Sequence, residues 1–271
     1  MKLNVVPALQ GALWVRSGFR AFFQRPMAFG MLFFIYFFGA QLLVLLSSLG
    51  AVLVSATLPL ASLAFMLATR RVQDATPVTP SVFVEPLREP GPRRRGQLLL
   101  GATYAAALAL ILLVTDLIGG SAFDAVAEAL SAAEVTPESL RPALTDPLLR
   151  WAMFVFLALV GVLSVPFWHA PALVHWGGQR WGRALFFSTV ACWRNRGALT
   201  IYALTWAGVI LGFNLVAGLL FSLFGVPTFA VALATPAGLM FAMAFYASLY
   251  FTYADCFTDS TPAAPASPVL H

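Results

Sequence analysis

Long stretches without charge alternate with short charged segments along the chain. Four uncharged stretches lie between Arg25 and Arg70, Arg95 and Asp116, Arg150 and Arg180, and Arg196 and Asp255. A helix needs about 20 apolar residues to cross the roughly 30 Å hydrocarbon core of a bilayer. By length, the stretches therefore hold two, one, one and two crossings. The pattern predicts six membrane-spanning helices, at residues 27–46, 50–69, 98–117, 151–170, 198–222 and 228–253.

The amino-acid composition also indicates a membrane protein. The 271 residues are 60% hydrophobic and 10% charged, whereas soluble domains average about 45–50% apolar and about 25% charged residues. A globule of this length cannot bury so much apolar surface, which excludes a secreted domain, a disordered protein and a cytosolic enzyme. We expect an all-α, polytopic helix bundle that forms one transmembrane domain over residues 1–258. The low-complexity residues 259–271 predict a disordered tail.

The distribution of charge predicts the orientation. The net charge is +5, and 14 of the 16 Lys and Arg residues fall in the N-terminal segment, the 70–97 loop and the 171–197 segment. Cytoplasmic loops carry an excess of Lys and Arg. Both termini are therefore expected in the cytoplasm, with the chain in a bacterial inner membrane and the acidic 118–149 loop facing outward. Because topology explains the positive surplus, no nucleic-acid partner is expected.

Several segments outside the spans carry helix signals. Residues 7–24 predict an amphipathic helix whose apolar face lies either in the headgroup region of an anionic leaflet or on the bundle itself. Five prolines in the 70–97 loop exclude a long helix there. In the outward loop, Ser121 and Thr136 predict starts of short helices, and Asp146-Pro147 predicts the start of the fourth span. The apolar face of the 7–24 helix consists of Ala8, Ala12, Val15, Phe19 and Phe22.

Eight arginines close to the predicted spans are candidate contacts for anionic lipids at the cytoplasmic face. Each positive charge near such a surface gains about 1 kcal/mol. The alternative is that these side chains only enforce topology. They are Arg16, Arg20, Arg25, Arg93, Arg94, Arg95, Arg183 and Arg194.

Two similar segments suggest a parallel internal repeat, in which an interfacial helix is followed by two spans; chance similarity among the abundant Ala, Leu and Phe residues is the alternative. Pro59 and Pro236 interrupt the second span of each copy. A proline leaves an upstream carbonyl without its helical partner, and paired breaks are a pointer to a transporter site; ordinary packing kinks are the alternative. The Asn214 side chain is expected to form a hydrogen bond with a neighbouring helix. The alternative is that it contacts a ligand.

The sequence offers little to support chemistry inside the membrane. No Asp, Glu, Lys or Arg lies in the middle of a predicted span, which argues against proton relays, ion pumps and voltage sensors. His169 and His175 are six residues apart, whereas a metal-binding pair on a helix favours a spacing of four. We therefore expect no catalytic, cofactor-binding or metal-binding residues, and no disulfide framework from Cys192 and Cys256.

Several segments together resemble an uncharacterised family of polytopic proteobacterial inner-membrane proteins. The resemblance runs to about residue 257 and is most specific at Ala184–Ser188 and Ala191–Asn195. It also includes the N-terminal basic, aromatic helix and the stretches Phe29–Leu46, Trp168–Val174 and Tyr246–Phe251. It implies an inner-membrane protein of unknown activity and supplies no catalytic residues.

Three functions remain open. The first hypothesis is a non-enzymatic scaffold or accessory subunit of a membrane assembly, with a protein partner or self-association. The second is a passive carrier or lipid-handling protein with a cavity between spans two and six, near Pro59 and Pro236. The third is an enzyme acting on lipid headgroups, and its candidate residues are His169, His175, Arg194 and Asp255.

Overall fold

A computed structural model describes residues 2–47, 49–88, 91–131, 141–142, 144–226 and 228–258, apart from the side chains of 228, 230 and 231. A 3-10 turn, Pro80–Phe83, and two short strands, β1 Lys2–Leu3 and β2 Phe257–Thr258, accompany the helices. The helices are α1 Gln10–Gln24, α2 Pro26–Leu46, α3 Gly50–Gln73, α4 Glu85–Arg88, α5 Pro92–Ser131, α6 Pro147–Phe167, α7 Ala170–His175, α8 Trp181–Arg194, α9 Arg196–Leu223 and α10 Thr228–Cys256.

Among the described residues, six apolar stretches of helix are long enough to cross a membrane. They are α2, α3, α5, the segment Pro147–His175, α9 and the Ala232–Cys256 part of α10. The predicted all-α class and the six spans are confirmed. The first hairpin also lies where the sequence places it, since α2 ends at Leu46 and α3 begins at Gly50. The predicted tail, 259–271, lies outside the described residues.

The third span differs from its predicted bounds of 98–117. α5 begins at Pro92, because proline is tolerated in the first helical turn, where an N–H has no intrahelical partner. The arginines at 93–95, assigned to the 70–97 loop, therefore lie in the first turn of the helix. At its other end α5 bends at Gly119, where φ is −132° and ψ is 19°, and continues to Ser131. This second arm includes the helix start predicted at Ser121.

The start of the fourth span is confirmed. The Leu148 backbone N–H donates to Asp146 Oδ1 at 2.7 Å, and Pro147 lies in the first turn of α6. A capping carboxylate satisfies one of the N–H groups that a helix leaves unpaired at its start. The helix predicted to start at Thr136 lies outside the described residues.

The chain forms two compact units that alternate along the sequence. Unit 1 comprises 1–30, 65–78 and 190–271, and unit 2 comprises 31–64 and 79–189, each over its described residues. In unit 1, Thr69 Oγ1 donates to the Ala247 carbonyl at 3.1 Å. In unit 2, Gly101 lies so close to the Ala56 carbonyl that a Cβ would overlap it. Small residues permit this close helix packing, as is common in membrane proteins.

The helix predicted at 7–24 forms as α1, and its apolar face packs on protein. Within unit 1 the helix lies against α9 and α10, with Trp14 only 1% exposed. Phe19 contacts Trp206 and Phe241, with ring centroids 5.2 and 6.1 Å apart. Of the two interpretations of this face, packing on the bundle is the one that the structure supports. The buried residues of α1 are Gly11, Trp14, Val15, Gly18, Ala21 and Phe22.

Candidate functional site

The two ends of the described chain are tied together in unit 1. β1 pairs antiparallel with β2, so that Lys2 lies opposite Thr258 and Leu3 opposite Phe257. The Asn4 backbone N–H extends the pairing by donating to the Cys256 carbonyl at 2.9 Å. Its side-chain amide lies 3.3 Å from Thr258 Oγ1. Residues 2–4 are thereby held against the end of α10.

Asn195 fixes the segment that follows β1. It occupies the one-residue break between α8 and α9 and is 2% exposed. Its Oδ1 accepts the Val6 N–H at 2.8 Å, and its Nδ2 donates to the Asn4 carbonyl at 3.0 Å. A buried amide whose donor and acceptor both have partners carries little desolvation cost. The role of the Cys192–Asn195 segment is therefore structural, because Asn195 binds the backbone of residues 4 and 6.

Asp255 ties α1 to the end of α10. Its Oδ2 accepts from Gln10 Nε2 at 2.6 Å and from Trp14 Nε1 at 2.7 Å. Hydrogen bonds to an ionised acceptor are shorter and roughly twice as strong as neutral ones. The carboxylate proposed above for headgroup chemistry is therefore engaged in holding a helix. We name Asn195, Asp255 and the β1–β2 pair the chain-end clasp.

A basic cavity of about 740 Å³ lies in unit 2, at the start of α5. Arg94 and Arg95 come from the first turn of α5, Trp181 is the first residue of α8, and Arg180 lies just before it. Leu98, on the next turn of α5, forms part of its apolar wall. The structure thus brings two of the eight candidate arginines together with Arg180, which the sequence analysis did not select. We name this cavity the arginine groove.

The other candidate arginines have different surroundings. Arg16 and Arg20 are exposed on the outer side of α1, and Arg25 is the exposed residue that separates α1 from α2. The guanidinium of Arg183 lies over the Phe187 ring, 5.6 Å from its centroid. Arg194, in the last turn of α8, is also exposed. Arg93 lies beside Gly178, at the start of α5. Contacts of all these arginines with lipid remain predictions.

The helix breaks and Asn214 are placed as follows. Pro59 lies inside α3 in unit 2, and Pro236 lies inside α10 in unit 1. A cavity of about 520 Å³ in unit 1 is lined by α9 and α10, with Ala234 and Gly238 on either side of Pro236. Asn214 also lines it. Over the described residues, the expected interhelical bond of Asn214 is not found, and its Nδ2 instead donates to the Ile210 carbonyl one turn earlier in α9, at 2.8 Å.

His169 and His175 are buried in unit 2. His169 is 1% exposed, and its backbone N–H donates to Ser188 Oγ at 3.0 Å. That hydroxyl in turn donates to the Val165 carbonyl at 3.0 Å, which joins α8 to the end of α6. His175 packs edge-on against Trp176. Over the described part of the chain, no group of three His, Cys, Asp or Glu side chains is placed to hold a metal ion.

A known protein is similar to this chain along almost its whole length. It comes from Burkholderia thailandensis, is named a "probable inner membrane protein", and is 33% identical over 269 residues, which cover 99% of this chain and 98% of that protein. The chain belongs to this family of bacterial inner-membrane proteins. The resemblance drawn from the sequence is thereby confirmed, as is the inner-membrane assignment. No family model and no solved structure matches the chain.

For this inner-membrane family member, sequence reasoning missed the chain-end clasp and one wall of the arginine groove. The sequence offers Asp255 only as a candidate for headgroup chemistry, because no residue near it in the sequence indicates a partner. Its partners Gln10 and Trp14 are 245 and 241 residues away. A weak signal existed, since polar residues such as Asn195 between two apolar helices need hydrogen-bond partners when buried.

Proposed function

We propose that this inner-membrane protein is a non-enzymatic scaffold or accessory subunit that binds a protein partner through the outer face of α1. The single observation that carries this proposal is an exposed stripe on a firmly held helix. The stripe repeats at alternating steps of four and three residues, which places its members on one side of a helix. It consists of Leu9, Leu13, Arg16, Arg20 and Phe23, all exposed.

The stripe has the composition of a protein interface. Leu9 is 74% exposed and Phe23 is 60% exposed, at opposite ends of the helix. Two arginines lie between them. Apolar anchors together with Arg are enriched where proteins bind one another, and the arginines suit a partner that offers carboxylates.

The opposite face of α1 explains why the stripe is rigid. Trp14 is buried and bonded to Asp255, and Gly18 lies against α10 without room for a side chain. The chain-end clasp holds the residues before α1. A surface that is already ordered loses less conformational entropy on binding. This supports a docking role for α1.

The proposal is tested by site-specific photo-crosslinking in native membranes. A photoreactive residue replaces Leu13 in one variant and Leu45 in the control; Leu45 is 82% exposed near the end of α2 and outside the stripe. We expect one protein adduct of constant mass from position 13 and none from position 45. The adduct is also expected to disappear in Arg16→Glu, because the reversed charge repels an acidic partner.

Two results would overturn the scaffold role. The first is a chain that forms only lipid adducts at both positions and runs alone after gentle solubilisation. The second is a protein adduct at position 13 whose yield is unchanged by Arg16→Glu and by Arg20→Glu. Self-association is read in the same experiment, because an adduct of twice the chain mass identifies a second copy as the partner.

A further inference from the structure

The geometry points to the arginine groove as a binding site for the phosphate of an anionic phospholipid. Its lining, over the described residues, includes Arg94, Arg95 and Arg180 and no acidic side chain. The inference is independent of the scaffold role, which rests on α1. It also goes beyond general attraction to a negative leaflet, because it assigns one cavity and one chemical group.

The three guanidinium groups supply the recognition. A guanidinium presents its N–H donors in a planar fork that matches two oxygens of a phosphate. Two of these groups come from one helix start and the third from another, so they approach a bound group from two sides. The volume of about 740 Å³ falls within the 300–1,000 Å³ typical of small-ligand sites.

The apolar wall distinguishes a phospholipid from a free phosphate ion. Leu98 is 58% exposed and belongs to the apolar run of α5, one turn beyond the arginines. Trp181 stands on the other wall, and tryptophan is enriched where membrane meets water. A lipid places its phosphate on the arginines and the start of its acyl chains along Leu98. A phosphate ion leaves that surface uncovered.

The groove is already assembled in the protein. A Cβ on Gly96 would lie 2.9 Å from Val174 Cγ1, so the first turn of α5 sits directly on α7. Gln97 Nε2 donates to the Pro171 carbonyl at 2.8 Å. The loop that carries Arg180 is tied to the same helix, since the Gln179 N–H donates to the Leu173 carbonyl at 3.1 Å. Both walls therefore rest on α7.

The test counts the lipids that the full-length protein retains. The protein is placed in nanodiscs that contain phosphatidylcholine and phosphatidylglycerol, and lipids that survive release into detergent are identified by native mass spectrometry. The test variant is Arg94→Gln with Arg180→Gln. The control is Arg88→Gln with Arg196→Gln, which removes the same charge from two exposed arginines that lie outside the groove and are not among the eight candidate lipid contacts.

We expect the test variant to lose retained phosphatidylglycerol by about tenfold or more, as hydrogen bonds to charged groups predict, and the control to keep it. Leu98→Gln is expected to weaken retention as well. An equal loss in test and control variants would overturn the site, because it would show diffuse charge attraction only. Unchanged retention in the test variant would also overturn it.

Two further measurements keep the result interpretable. Inorganic phosphate is added as a competitor: displacement of the lipid at low phosphate concentration, with no effect of Leu98→Gln, would show an ion site and overturn the lipid assignment. Thermal unfolding monitored by circular dichroism reports whether the variants fold. If the Gln pair unfolds, Arg94→Lys with Arg180→Lys replaces it, and a loss of retention at constant charge then supports the paired hydrogen-bond geometry.

Discussion

Replacing Gly18 by alanine should loosen the packing of α1 on α10. The new Cβ would lie 2.5 Å from Ser248 Cβ, 2.6 Å from the Ala244 carbonyl oxygen and 3.0 Å from Ser248 Cα. None of these atoms is the end of a flexible side chain. Ser248 is also fixed by its hydroxyl, which lies 2.6 Å from Tyr202 Oη. The overlap can be relieved only if one helix moves away from the other.

The size of the effect follows from two opposing contributions. Forcing one carbon into a well-packed site costs about 1–3 kcal/mol. Alanine is favoured over glycine within a helix by about 0.8–1.0 kcal/mol. A matched control removes the second contribution: Gly212, within α9, has no atom within 4 Å of the position its Cβ would take. We therefore expect Gly18→Ala to be less stable than Gly212→Ala by about 1–3 kcal/mol.

Equilibrium unfolding in mixed micelles, followed by far-ultraviolet circular dichroism, measures this difference. Hydrogen exchange at residues 10–24 then shows whether α1 is the part that loosens. Equal stability of the two variants would refute the close-packing argument. So would a destabilised Gly18→Ala variant in which the amides of α1 exchange no faster than in the parent.

Three further predictions concern the clasp, the helix cap and the topology. Asp255→Leu should cost about 1.5–3 kcal/mol per lost charged hydrogen bond and expose residues 2–24 to limited proteolysis; an unchanged cleavage pattern would contradict the assigned role. Asp146→Ala should destabilise the protein by about 1 kcal/mol through loss of the α6 cap, measured by the same unfolding assay, with Asp146→Asn keeping most of the stability. A cysteine at Thr258 should react with a membrane-impermeant maleimide only after the cells are opened, whereas one at Leu144 should react in intact cells; the reverse pattern would refute the predicted orientation.

The spans were predictable because their signal is local. A run of about 20 uncharged apolar residues has one stable outcome in a bilayer, a helix whose backbone groups bond within the segment. The start of α5 shows where this reasoning stops. Pro92 was counted among the prolines that exclude a helix. The effect of a proline depends on its position: in the first turn it removes no helical hydrogen bond, whereas inside the helix it removes one.

The amphipathic segment 7–24 shows a different limit. Its periodicity correctly predicts a helix. An apolar face of this kind occurs both on helices that lie in lipid and on helices that pack on protein, so the pattern alone does not distinguish the two. Gly11 and Gly18 were the more informative residues: glycine destabilises the interior of a helix, so its presence there indicates a position where a neighbour approaches too closely for a side chain. Arg180 could not be assigned from sequence for the same reason as Asp255. Its companions in the groove come from another helix start, and a single sequence does not pair distant residues.

The chain-end clasp has a consequence for the order in which the protein is made. β1 and α1 are synthesised before the six spans, whereas Asp255 and β2 lie at and just beyond the end of the last one. α1 is therefore synthesised well before the helix whose carboxylate ties it in place. Until α10 is made, Trp14 lacks its hydrogen-bond acceptor and Gly18 lacks the helix on which it packs, and contacts this distant in sequence form slowly. We expect a chain truncated before residue 255 to keep its apolar spans and to hold α1 less firmly, because it lacks the carboxylate that binds Gln10 and Trp14.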